Sequence, residues 1–86
     1  MNKPIPITSV GFLLFPGVTQ LDLTGPHEVF SRLSDVKLHL LWKNLDPVRA
    51  DSGLTILPTA RLSDGIPLDL LCVPGGPGQV AGNGLP

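Results

Sequence analysis

Val10-Gly-Phe-Leu-Leu-Phe15, the apolar centre of Ile7-Thr-Ser-Val-Gly-Phe-Leu-Leu-Phe15, is stopped by Pro16-Gly17. A run this short and this apolar is the signature of a strand buried on both faces, as in a parallel sheet. A buried helix is the competing reading, but closure by Pro-Gly after so few residues favours the strand.

On its C-terminal side, the stretch from Val18 to Leu33 (VTQLDLTGPHEVFSRL) contains a helix. Thr24 or Gly25 can cap it, with Pro26 in the first turn, where a missing N–H costs little. Glu28 then sits early in the helix, as the dipole favours. Val29, Phe30 and Leu33 share one face, and Ser34-Asp35 ends the element. In Val36 to Lys43, Val36, Leu38 and Leu40 alternate with Lys37, His39 and Leu41, which predicts a second strand. Asn44 to Pro47 is a turn. Val48 to Ala50 and Leu54 to Leu57 flank Asp51-Ser-Gly53, the pattern of a short hairpin or of a strand with an excursion. Pro58 to Pro67 holds at most a short helical turn. Leu68-Asp-Leu-Leu-Cys-Val73 is a further apolar strand, stopped by Pro74-Gly75-Gly76.

The order β, α, β, a small β insertion and β predicts an open, mostly parallel α/β sheet. Ligands of such sheets bind beyond the carboxyl ends of the strands. Two segments occupy that rim: Pro16 to Gly25 after the first strand and Pro74 to Gly78 after the last. A parallel strand also needs a crossover helix to cover it. After Val73 only PGGPGQVAGNGLP remains, and its five glycines and three prolines leave no helical period. The expectation is therefore a truncated chain, with weak folding and exposed apolar side chains on the Leu68–Val73 strand that invite association.

Composition sets outer bounds. The 86 residues allow one domain, and 42% hydrophobic with 15% charged content is globular rather than disordered. Six basic and seven acidic residues give a formal charge of −1, with no basic cluster to hold nucleic acid. The longest apolar stretch, Val10 to Val18, is about half a membrane span, and the N-terminus has no apolar core of a signal peptide. No membrane association is expected. The single cysteine, Cys72, excludes an internal disulfide and a Cys-rich metal site, which fits a reducing, cytoplasmic setting.

Few residues are candidates for chemistry. Asp22 lies between Leu21 and Leu23 at the rim after the first strand. Carboxylates among apolar neighbours at such rims hold a proton more tightly and can share it with a reactive partner; the plain alternative is a capping or solvated aspartate. Gly75 and Gly76 follow a strand, where glycines let the backbone approach a ligand and present N–H groups to an oxyanion; the alternative is a tight turn. Cys72 sits within an apolar strand and reads as inert core, since a reactive cysteine needs an electropositive, accessible site. His27 and His39 have no second ligand at metal spacing, so no metal site is expected, and Trp42 reads as strand-end packing. No Ser-His-Asp arrangement, nucleophile elbow or phosphate loop is present.

Gly11-Phe-Leu-Leu-Phe-Pro16, Gln20-Leu-Asp-Leu-Thr-Gly-Pro26 and His27-Glu-Val29, followed by the segment from Leu40, Ser52-Gly-Leu54 and Leu68-Asp-Leu-Leu-Cys-Val-Pro-Gly-Gly76, resemble the opening of the DJ-1/PfpI superfamily. Within it, the isonitrile hydratase family is the most similar. The resemblance covers residues 7–80 of a single domain spanning 1–86, with a divergent tail at 81–86. It implies a flavodoxin-like, class I glutamine amidotransferase-like three-layer sandwich around a parallel sheet, here truncated, and a homodimer. In the hydratases a cysteine on a strand-to-helix elbow attacks the carbon of an isonitrile, a small-molecule substrate, and the thioimidate is hydrolysed to an N-substituted formamide without any cofactor. The resemblance makes Asp22 the catalytic proton partner of that cysteine and places Gly75 and Gly76 in the substrate and oxyanion pocket. Cys72 does not match the nucleophile, which belongs to a later strand–elbow unit, so the chain as it stands is expected to be inactive. Two other roles share this opening. One is the ligand-sensing domain of AraC-type regulators; the other is DJ-1-like stress protection, whose members usually carry glutamate where Asp22 stands.

Overall fold

The computed structural model describes residues 7–76; the expected divergent tail at 81–86 lies outside the described residues. Strand β1 (Ser9–Leu13) is followed by helix α1 (Gln20–Ser31), strand β2 (Lys37–Trp42) and a hairpin of β3 (Val48–Arg49) and β4 (Thr55–Ile56). Strand β5 (Ala60–Arg61), a single 3₁₀ turn at Leu62–Asp64, and strand β6 (Leu70–Cys72) complete the order. The main sheet runs β5-β2-β1-β6, and every pairing in it is parallel. The two longest strands, β1 and β2, take the central positions, where both faces of a strand have to be covered.

Register explains which residues form the core. Phe12 lies opposite Leu40 of β2 and Cys72 of β6, and Val10 lies opposite Leu38 and Leu70, so these six side chains share one face. Helix α1 packs on that face. The Phe12 ring is 5.3 Å from the His27 ring and meets Phe30 edge-on at 6.2 Å. Val10, Phe12, Leu14, Val18 and Leu23 are fully buried, and Val48 and Ala50 of the hairpin join the same cluster. The opposite face carries Gly11, Leu13, Leu41 and Leu71. A side chain cannot fit at Gly11, because a Cβ there would lie 2.7 Å from Leu68 Cδ1 and 2.9 Å from Leu41 Cδ1. Leu68 thus closes over β1 on the face that α1 leaves open. Among the described residues the sheet has one helix layer, an α/β arrangement of the flavodoxin-like kind.

Four sequence expectations need correction. The helix starts at Gln20, four residues before Thr24, and Pro26 lies inside it. The cap comes from outside the helix: the N-cap residue Thr19 makes no side-chain cap bond, whereas the Gln20 N–H donates to Asp51 Oδ1 at 3.2 Å. Glu28 consequently lies in the second half of α1, where it pairs with Arg32 at 3.0 Å on the exposed surface. The packing face is Leu23, His27 and Phe30, at i, i+4 and i+7, while Val29 and Leu33 are exposed. The stretch 58–67 also contains a strand, β5, which pairs Ala60 with Leu41.

Candidate active site

The loops that leave β1 and β6 emerge on the same rim because the two strands are parallel. After β1 the chain turns through Pro16 and Gly17, with Gly17 at φ +81°, a left-handed conformation that suits glycine. After β6 it passes Val73 and the buried Pro74 to reach Gly75 and Gly76. The two loops are bonded directly, since the Thr19 N–H donates to the Gly75 carbonyl at 2.8 Å. The hairpin tip holds them from a third side: Gly17 N–H donates to the Arg49 carbonyl and Asp51 N–H to the Val18 carbonyl, each at 2.9 Å.

Asp22 stands in the first turn of α1, its N–H bonded to the Thr19 carbonyl at 3.0 Å, and its side chain is exposed. A Cβ built on Gly75 would lie 3.0 Å from Asp22 Oδ2, so the carboxylate rests directly against this glycine. The tightness at Gly76 is greater. Its φ is +147°, and a Cβ there would lie 2.6 Å from the Gly17 carbonyl oxygen, 2.7 Å from the Thr19 nitrogen and 3.0 Å from the Val18 Cα. Of the three residues named from the sequence, Asp22 therefore touches Gly75, while the adjoining Gly76 packs against the backbone of residues 17–19. Pro26 adds a local feature. It has no N–H to give to the Asp22 carbonyl four residues earlier, so that carbonyl lacks its usual helical donor.

The remaining candidates take other places. Cys72 is half-buried against the core, and burial pushes its thiol up, away from the thiolate a nucleophile requires. His27 is an aromatic partner of Phe12. His39 lies opposite Gly11, on the sheet face away from α1. Trp42 is partly buried, with the Lys43 ammonium 5.7 Å from its ring centre. Among the described residues no three His, Cys, Asp or Glu side chains gather as metal ligands, and no helix is long and apolar enough to cross a membrane. Asp51 was legible in the sequence only as a hairpin-turn residue. Its role as the cap of the helix that carries Asp22 depends on a tertiary contact between residues 31 positions apart.

The chain is 55% identical over 69 residues to an isonitrile hydratase of Pseudomonas putida, a match covering 80% of this chain and 30% of that protein. The structure superposes on a ThiJ/PfpI family protein of Pseudomonas syringae with a TM-score of 0.82 and 40% identity, over 90% of this chain and 33% of the other. The chain belongs to the DJ-1/PfpI superfamily. A DJ-1 superfamily protein of Salmonella typhimurium, solved as a cysteine-to-alanine mutant, shares the fold at a TM-score of 0.70 and 23% identity, covering 83% of this chain and 40% of that one. A DJ-1 superfamily protein of Agrobacterium tumefaciens does so at 0.73 and 18% identity, covering 93% and 43%. No protein-family model matches the chain. The chain spans about a third of the length of the two Pseudomonas relatives.

Proposed function

We propose that residues 16–25 and 74–76 form one half of an isonitrile hydratase-type site, in which Asp22 is the proton partner and Gly75 and Gly76 shape the wall against which a small isonitrile lies. The observation that carries this reading is the contact of Asp22 Oδ2 with Gly75, at the carboxyl ends of two adjacent parallel strands. The similarity to the Pseudomonas putida enzyme supports the choice of substrate class.

In the reaction, a thiolate forms an S–C bond to the terminal carbon of R–N≡C, and that carbon takes up a proton. Water then adds to the thioimidate R–N=CH–S, the C–S bond breaks, and R–NH–CHO leaves with the thiol restored. In this reading Asp22 delivers and recovers the proton. The thiolate has to come from elsewhere, because Cys72, the chain's single cysteine, is packed against the core with a raised thiol pKa. The chain binds and orients; it does not complete the hydration.

Titration of the isotope-labelled chain with a small alkyl isonitrile, followed by amide and carboxyl NMR, tests this directly. Shifts should concentrate on Gly17, Asp22, Gly75 and Gly76, Asp22→Asn should weaken them, and no formamide should accumulate above the uncatalysed background. Shifts scattered over the sheet would remove the site, and steady formamide production by this chain would remove the claim that the nucleophile is external.

A further inference from the structure

The residue that follows an aspartate decides one reaction of its carboxyl group. The backbone nitrogen of that next residue can attack the carboxyl carbon and close a ring. A side chain on the next residue obstructs the attack, glycine does not, and proline has no N–H to give. In this chain Leu follows Asp22 and Asp69, Val follows Asp35, Pro follows Asp46, Ser follows Asp51 and Gly follows Asp64. Asp64-Gly65 is thus the least obstructed pair.

Asp64 ends the 3₁₀ turn at Leu62–Asp64, in the connection between β5 and β6. Gly65 follows at φ +65°, with nothing within 4 Å of the place a Cβ would take. Its N–H reaches the Leu62 carbonyl only at 3.5 Å, so the nitrogen is loosely held. Both residues are exposed. Two bonds oppose these features. The Asp64 carboxylate turns back along the chain, where Oδ2 accepts the Arg61 N–H at 2.8 Å and Oδ1 accepts the Arg61 Nε–H at 3.1 Å. The backbone N–H above all holds this carboxyl below the usual carboxylate range and so keeps it ionised, whereas the neutral acid is the better electrophile. Ring closure needs the carboxyl carbon to swing round to the Gly65 nitrogen. That motion breaks both bonds and takes Asp64 out of the 3₁₀ conformation.

We propose that Asp64-Gly65 is a site of spontaneous isoaspartate formation, held latent by the two bonds from Arg61 to the Asp64 carboxylate. The Gly65 nitrogen forms a bond to Asp64 Cγ and gives up its proton, the carboxyl hydroxyl leaves with a proton as water, and a succinimide results. Water then adds to the main-chain carbonyl carbon of Asp64, the bond from that carbon to the Gly65 nitrogen breaks, and the nitrogen recovers a proton. The chain now runs through Cγ, one methylene longer between β5 and β6, and the free carboxylate sits on Cα. Water is the one co-reactant, and nothing in this step depends on the chemistry assigned to Asp22.

The test incubates the full 86-residue chain at mildly acidic pH and body temperature, native in one sample and unfolded in urea in the other. Electron-transfer fragmentation of the proteolytic peptide that contains Asp64 distinguishes aspartate from isoaspartate at that residue. Isoaspartate should accumulate about tenfold faster in the unfolded sample, where both bonds are lost. Arg61→Ala removes the Nε–H donor but keeps the backbone N–H. It should raise the native rate about threefold and leave the unfolded rate unchanged. In Asp64→Glu the product at this position should vanish, because closure would form a larger ring. Circular dichroism reports whether Arg61→Ala folds; if it does not, the ratio of native to unfolded rates in the unaltered chain decides. Equal rates in the two samples would overturn the latency, and a native rate unmoved in folded Arg61→Ala would overturn the part given to Arg61. Isoaspartate arising first at another aspartate of the unfolded chain would remove the site. No activity is read, so the result stands apart from the fate of the hydratase reading.

Discussion

Replacing Gly76 by alanine should unfold or severely loosen the loop pair that forms the candidate site. The added Cβ would sit 2.6 Å from the Gly17 carbonyl oxygen, 2.7 Å from the Thr19 nitrogen and 3.0 Å from the Val18 Cα. These are backbone atoms, which cannot rotate away as a side-chain end can. Overpacking of a fixed site costs about 1–3 kcal/mol, and a glycine-favoured φ of +147° adds about 1–3 kcal/mol for an L residue. If the loop instead moves away, the bond from Thr19 N–H to the Gly75 carbonyl is lost, at about 0.5–1.5 kcal/mol. The expected loss is at least about 2 kcal/mol, against a total stability of about 4–13 kcal/mol for 86 residues. Urea unfolding followed by the fluorescence of the single tryptophan, Trp42, reads it. With a slope of about 1 kcal/mol per molar for a chain this small, the midpoint should fall by about 2 M. Gly25→Ala is the matched control. It lies within α1 with nothing within 4 Å of the new Cβ, and it should raise the midpoint by about 1 M, because alanine is about 1 kcal/mol better in a helix. A Gly76→Ala midpoint within about 0.5 M of the unaltered chain would refute the close packing of the two loops, and with it the juxtaposition of Asp22 and Gly75.

Two further outcomes follow from the same contacts. Asp51→Ala removes the acceptor for the Gln20 N–H and should cost about 1 kcal/mol; circular dichroism should show earlier loss of helix, whereas an unchanged melting curve would deny Asp51 a capping role. Asp69 accepts the backbone N–H and the hydroxyl of Thr8 and the N–H of Ser9, at 2.8, 3.1 and 3.0 Å, and these bonds hold its carboxyl below the usual carboxylate range. Because the folded value is the lower one, the stability it supplies is complete above about pH 4, the ordinary aspartate value, and disappears as pH falls through the folded value. Asp69→Asn should therefore flatten part of the acid limb of stability against pH. A remainder should persist from Asp64, which the backbone N–H of Arg61 also lowers. An acid limb unchanged in Asp69→Asn would mean that the tie between the start of β1 and β6 does not form.

Long, one-signed patterns were legible from the residues alone. The Val10–Phe15 run and the alternation after Val36 each specify a strand, and the observed strands lie inside both. The hairpin around Asp51-Ser-Gly53 was likewise readable, because the left-handed Gly53 marks its turn. The start of α1 was not. Proline usually marks a first turn, and here the helix begins six residues before Pro26 because a distant carboxylate satisfies its first N–H. β5 escaped notice because two residues carry no period; only its pairing with β2 makes it a strand. At the candidate site, Asp22, Gly75 and Gly76 were named from motif resemblance. Their contact depends on three backbone bonds among the 16–19, 49–51 and 74–76 loops, which no local pattern encodes.

That arrangement determines what holds the candidate site together. It is held at the rim by the bonds of Thr19 to Gly75, Gly17 to Arg49 and Val18 to Asp51, beside a core in which Leu14, Val18 and Leu23 are fully buried. The opposite face, with Leu71 half-exposed, is where stability is lacking. The position of Asp22 against Gly75 is thus set by backbone bonds between loops far apart in sequence, and not by any single strand.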